Sequence, residues 1–496
     1  MDSLRSVRCG ARKLTAAGVL LACGWLAAAC PAWAGAQAER ALQAVRQMRL
    51  AGDIPAGTTL ALTVKQGNLA SFLGPDGEIK ARWEAQTGVP IDAKVMPQLD
   101  SRAFIRDDAA TDLTIARNHE YPDLMAEGLI EDLTPWLARF GFALSDDPAS
   151  GYILAPQQSR FGGQVVAIPA DGDVAVLYLR KDLLDDPDHQ RRFAARFGRP
   201  LGVPQTWAEY NDLVAYFHQP AAGLYGSLEP REPLTGWMYW MLRYASRGRP
   251  NGELFDAQMR PRIDSPAGIA ATRDYLAMVP ASPPEILKAG NDYSYTLPLF
   301  LQGKGFSTII TLAAAKLINA PTSKVAGKVI AVPMPGSMVN GALVRRGGLI
   351  YGNNLVIPRS ARHKALAVLF AMWLTDPDNS RLSVGVRGGF TDPYRFNHFD
   401  DPRIREVYSA PMLATVRDDL STVMPAGTGL PGNAEYLAAL SDQLARAAAG
   451  TISAEESMRR TAQAWEKITE ARGREAQMAY WHAFRQLFPD TLERAR

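Results

Sequence analysis

Through residues 58–116 the chain alternates strand-like and helix-like segments, and this alternation constrains the fold more than any other feature. Thr58 to Val64 is rich in Thr, Leu and Val and reads as a strand. Glu78 to Gln86 carries Ile79 and Trp83 on one helical face, and Gly88 stops it. Val89 to Met96 and Asp112 to Ala116 then give two further strands, and a short helix over Ala36 to Arg49 precedes the first. A β-α-β alternation of this kind calls for a parallel sheet with helices on both faces.

The pattern returns downstream. Gln164 to Ile168, Val174 to Leu179 and Val325 to Val332 are strand-like, and Trp207 to Phe217 is helical behind Pro204-Gln205-Thr206. Helices follow at Ala361 to Leu374, Ala434 to Ala449 and Ala454 to Arg472. There is no internal repeat.

Ahead of all this lies a basic stretch, Arg5, Arg8, Arg12 and Lys13, then an apolar run from Leu14 to Ala29 ending near Ala32-Trp33-Ala34. Such a segment reads as a secretory signal peptide with a small-residue cleavage site. The run is shorter than the ~20 apolar residues of a membrane span. All three cysteines, Cys9, Cys23 and Cys30, fall in this leader, so a chain processed after Ala34 has no thiol chemistry. Leu20-Leu21-Ala22-Cys23, and more weakly the run ending at Cys30, resemble a lipoprotein box, which makes lipid anchoring the lesser alternative.

About 460 residues remain, more than one hydrophobic core comfortably serves, so two lobes are expected. The formal charge of +3 includes the four leader cations, and no basic stripe interleaves with aromatics, so no nucleic-acid partner is expected.

Catalytic signatures are missing. Gly303-Lys304 lacks the flanking residues of a phosphate loop, and neither His-Glu-x-x-His nor Gly-x-Ser-x-Gly occurs. The six histidines are scattered and read as solvated. Paired acids at Asp107-Asp108, Asp146-Asp147, Asp185-Asp186, Asp400-Asp401 and Asp418-Asp419 read as caps and turns rather than as a carboxylate pair facing across a cleft. No catalytic residue, metal or cofactor is expected.

Several blocks, in order, resemble the extracellular solute-binding family of carbohydrate ABC importers. They are Trp83 to Val89, Gly128 to Leu137, Phe161 to Pro169 with Val176 to Leu184, Pro204 to Tyr210, Phe300 to Lys304, Val325 to Gly336 and Ile357 to Pro377. The resemblance implies a two-lobed α/β periplasmic binding protein fold (type II), each lobe a sheet flanked by helices, with the ligand cleft at the interlobe hinge. It implies lobes assembled from 35–169 and 346–385 on one side and 170–345 and 386–496 on the other, behind a leader at 1–34. A monomer in the periplasm is expected, binding a sugar or polyol and handing it to a membrane permease. The alternatives are an exported glycoside hydrolase or lyase, and a sensor subunit built on the same fold.

A sugar cleft needs aromatic faces and planar polar groups at strand ends. Asp171 and Asp173 follow the first crossing, and Trp237, Tyr239 and Trp240 form an aromatic cluster. Tyr293 lies in a polar-aromatic loop, Asn353 and Asn354 at the second crossing, and Arg387 and Phe390 at the expected third. Many relatives carry tryptophan near Thr311-Leu312 and at Asn353, so the resemblance implies a smaller polyol or another small polar ligand here rather than a long oligosaccharide.

Overall fold

The computed structural model describes residues 35–96, 101–108 and 110–488; the leader, its cysteines and its cleavage site lie outside them. The principal strands, in chain order, are β1 (Leu60–Val64), β2 (Ile91–Val95), β3 (Leu113–Arg117), β4 (Ala175–Arg180), β5 (Tyr225–Ser227), β6 (Gly305–Thr311), β7 (Val329–Val332) and β8 (Asn353–Val356). Among the helices, α1 spans Ala36–Ala51, α2 Gln66–Leu73, α3 Glu78–Thr87, α4 Trp207–Phe217, α5 Gly236–Ala245, α6 Lys364–Leu374, α7 Asn433–Ala448, α8 Ala454–Arg472 and α9 Arg474–Leu487.

The first sheet has the order β8-β3-β1-β2, with β1 parallel to β2 and β3, while β8 runs antiparallel to β3. The second has the order β5-β6-β4-β7, with β5 parallel to β6 and β4 antiparallel to both its neighbours. The expected parallel arrangement therefore holds for β2-β1-β3 and for the β5-β6 pair, but not for β4 or β8. Parallel neighbours need a crossover of a dozen or more residues, which α2 and α3 supply between β1 and β2. Strands β4 and β8 arrive straight from the opposite lobe and enter their sheets reversed.

Burial follows from the side-chain period of two. Ala175, Leu177 and Leu179 of β4 pack into one core, and Val176 and Tyr178 into another on the opposite face. Edge strand β2 instead turns Asp92 and Lys94 outward, which guards its open edge. In the first lobe α6 is buried from Leu366 to Leu374, as its uniformly apolar sequence requires. Trp83 of α3 meets Phe370 edge-on at 5.1 Å, and α1 adds Ala41, Leu42 and Val45.

Three segments join the lobes. Ile168 bridges Leu355 and Val174 bridges Ile350, so the first and second crossings run antiparallel side by side. The third passes through Asp392, whose carbonyl accepts Gly172 N–H at 3.2 Å. The expected third crossing at Arg387 to Phe390 is displaced: Phe390 N–H instead bonds Gly67 O, at the start of α2. No described helix is long and apolar enough to cross a membrane.

Candidate functional site

A cavity of about 800 Å³ lies between the lobes, floored by the hinge. A second, of about 580 Å³, is lined by Met241, Tyr244, Met424, Trp481 and Phe484 behind it. The first is the candidate site, because groups from both sheets and from the crossings converge on it, so that closure acts on whatever it holds.

Six of the residues singled out by sequence line this cavity: Asp173, Trp237, Tyr239, Tyr293, Asn353 and Phe390. Trp237 and Tyr239 sit in the first turn of α5, whose N-terminal end faces the cavity. Trp237 is fixed by Nε1 donating to Leu234 O at 3.0 Å and by an edge contact with His119. Tyr293 opens the helix Tyr293–Leu301, capped by Asp292 accepting Ser294 N–H.

The other four are placed elsewhere. Three residues along α5, Trp240 points into the core, donating to Thr272 Oγ1 at 2.8 Å and stacking on Tyr244 at 4.7 Å. Asn354, next to Asn353 on β8, faces the other side of the sheet. There its amide donates to Tyr121 OH, and its oxygen accepts Ala170 N–H. Arg387 is exposed and pairs with Glu406. Asp171 lies behind the cavity wall, where it ties the crossings together. Its Oδ1 accepts Asp392 N–H at 2.8 Å, and its Oδ2 accepts the backbone and side-chain N–H groups of Asn353 at 3.3 and 3.1 Å.

Sequence reasoning missed Lys65 and Arg117, which also line the cavity, as does Tyr351 of the segment at the second crossing. Lys65 follows β1 and Arg117 ends β3; a charged residue at the carboxyl end of a parallel strand is the signal that points to them. Lys65 Nζ donates to Asn353 Oδ1 at 3.1 Å, and the Arg117 guanidinium stands 5.6 Å from the Tyr351 ring centre.

Asp171, Asp173 and Asp392 bring carboxylate oxygens within 4.8 Å of one another in a buried cluster spanning the first and third crossings. Burial first, then Asp392, raises Asp171 to about 7 against the pull of its N–H donors. Burial, then Asp171 and Asp392, carries Asp173 well above the usual carboxylate range. Burial also raises Asp392, although Lys316 and Tyr408 OH favour its anion.

Because the native state holds these protons more tightly than the unfolded chain, their stabilisation is complete below the unfolded aspartate value of about 4. For Asp171 it is lost as pH rises toward about 7. Asp173→Asn imitates the protonated acid and removes an anionic neighbour. Urea unfolding at pH 5 and pH 8 is therefore expected to show a smaller loss of stability in the variant than in the parent. Equal losses would refute the assignment.

The sequence reading of the acid pairs and histidines meets mixed outcomes. Asp186 and Asp401 do cap helices, accepting N–H bonds from residues 188 and 189 and from 403 and 404. His398, expected in solvent, is buried, with Nε2 2.8 Å from Ser380 Oγ and burial holding it neutral.

Two α/β lobes hinged by three crossings around a polar, aromatic-lined cavity define a periplasmic binding protein fold. A model of the bacterial extracellular solute-binding protein family matches residues 78–391, and the chain belongs to that family. Solved structures agree in fold. One is an ABC transporter solute-binding protein from Agrobacterium radiobacter K84 in complex with ribitol, at 20% identity and TM-score 0.66, covering 83% of this chain and 99% of that one. Another, from Agrobacterium vitis S4 with bound D-mannitol, has 18% identity, TM-score 0.66 and coverage of 84% and 99%. Maltose-bound MalE3 of T. maritima gives 18%, 0.66, 83% and 100%.

Proposed function

We propose that this chain is the substrate-binding subunit of an ABC importer, capturing a sugar or polyol between its lobes and releasing it to a membrane permease without chemical change. The observation that carries the reading is the interlobe cavity, where the rings of Trp237, Tyr239, Tyr293, Tyr351 and Phe390 meet the polar ends of Asn353 and Asp173. Aromatic faces suit the C–H surfaces of a polyol, and planar amide and carboxyl groups suit its hydroxyls. The leader at 1–34 fits export to the periplasm; the first two crossings support lobe boundaries near 169 and 345, and the third, at Asp392, moves the boundary expected at 385. The protein acts as a monomer, with no role for nucleic acid.

A panel of sugars and polyols should raise the melting temperature for at least one member, since a ligand at 100 Kd adds about 2.7 kcal/mol. No rise with any would overturn the reading. Tyr293 is the most exposed ring of the site, at 37%, so its removal spares the core. Tyr293→Ala is expected to weaken the bound member about tenfold, through lost stacking and burial, with an unchanged melting temperature in the free protein. Calorimetric titration checks this, and unchanged affinity would remove Tyr293 from the site.

A further inference from the structure

Lys65 and Arg117 stand at the ends of the neighbouring strands β1 and β3, and both reach the cavity. Among the described residues neither forms an ion pair: Lys65 has the Asn353 amide oxygen, and Arg117 the Tyr351 ring with its Nε left without an acceptor. The nearby acids are committed elsewhere. Glu120 accepts the backbone N–H of Arg117 at 2.6 Å, and Asp123 accepts Gly432 and Ala434 N–H. Glu232 accepts Leu234 N–H and Thr235 OH, and Asp292 caps its own helix. Asp173 shares the Asn353 amide with Asp171 inside the hinge cluster.

A third electropositive element faces the same space. Helix α2 begins at Gln66 with no side-chain cap and no acidic residue in its first turn, and Gln66, Gly67 and Asn68 all line the cavity. Uncapped N–H groups at a helix start favour an anion. Two part-buried cations that no carboxylate contacts directly, although Glu120 and Asp173 outweigh burial at Arg117 from a distance, carry an electrostatic cost that a bound anion lowers. A neutral polyol does not.

We propose that the natural ligand is a polyhydroxylated acid, whose carboxylate or phosphate group seats between Lys65, Arg117 and the start of α2. This rests on the interlobe cavity being the ligand site. The state of Lys65 agrees: burial, and then Arg117, lowers its ammonium to about 7 despite Glu120, Asp173 and Asp171.

Matched pairs test it by calorimetric titration of the exported protein: D-gluconate against D-sorbitol, and D-glucose 6-phosphate against D-glucose. In at least one pair the acid should bind about tenfold or more tighter than its neutral partner, as charge-assisted hydrogen bonds require, and the pair concerned separates carboxylate from phosphate. Arg117→Gln should shrink that acid-to-neutral ratio by about tenfold, a within-variant comparison that a merely structural role does not move. Should Arg117→Gln fail to fold, Lys65→Gln makes the same comparison. Neutral members binding as tightly as the acids would overturn this inference and leave the proposed function standing. Binding by none of the four, nor by any sugar or polyol of the wider panel, would overturn both.

Discussion

Glu229→Gln is expected to destabilise the protein by about 3–5 kcal/mol, the cost of breaking a buried ion pair from one side. Glu229 Oε2 lies 3.1 Å from the guanidinium groups of both Arg231 and Arg243, and Oε1 accepts Tyr210 OH at 2.6 Å. All three charged side chains are fully buried. Arg231 lies 4.1 Å from the Tyr275 ring centre and Arg243 4.3 Å from that of Trp207, so neither cation can swing to solvent without opening the core. A glutamine keeps the volume and one oxygen but leaves two desolvated positive charges facing each other.

Urea unfolding at pH 7 measures the loss, with a melting temperature lower by something on the order of 10 °C. A loss below about 1 kcal/mol would mean that the two arginines relax to other partners. The acid limb gives a second readout. Burial opposes the Glu229 anion, yet Arg243 and Arg231 outweigh it and hold the carboxyl at about 2. A depressed native value contributes stability above the ordinary carboxyl range and loses it as pH falls toward about 2. In Glu229→Gln that part of the acid destabilisation should be absent.

How much of this was legible in the sequence depended on whether local signals were left to act alone. Helices α4 and α8 appear residue for residue where the pattern placed them. Each begins behind a hydroxyl cap, Thr206 accepting Glu209 N–H and Ser453 accepting Glu456 N–H. Strand β6, Gly305–Thr311, escaped notice because both its faces are buried and its sequence shows no alternation. The pattern assigns no strand at β8, since two asparagines are poor strand formers; pairing with β3 overrides that preference.

The site was half visible for a related reason. Aromatic and polar residue types were easy to nominate, but direction was not. Asn353 and Asn354 point to opposite sides of one strand, and Trp237 and Trp240 differ by less than one helical turn. Which member of each pair faces the cavity is set by the crossings, and those are long-range.

The crossings supply the other large expected effect. A Cβ on Gly172 would lie 1.9 Å from Pro393 O and 2.6 Å from its carbonyl carbon, both backbone atoms of the third crossing. Gly172→Ala must therefore push the first and third crossings more than an ångström apart. That movement stretches the Gly172 N–H bond to Asp392 O and the Asp392 N–H bond to Asp171, the two links that stitch these segments together. A loss of about 2–4 kcal/mol is expected from the overpacking and the two strained buried bonds. Ligand affinity should fall with it, because Asp173 is carried by a displaced segment and Asn353 is bonded to Asp171 and Asp173 of that segment. Gly202→Ala is the control: nothing lies within 4 Å of its Cβ position, so stiffening the unfolded chain there should leave stability unchanged or raise it slightly. If Gly172→Ala matched the control in urea unfolding and in calorimetric titration, the crossings would be loosely packed strands. Tight packing instead makes the three segments bend as one unit, so that closing the lobes brings Lys65, Arg117 and the aromatic rings onto the ligand together.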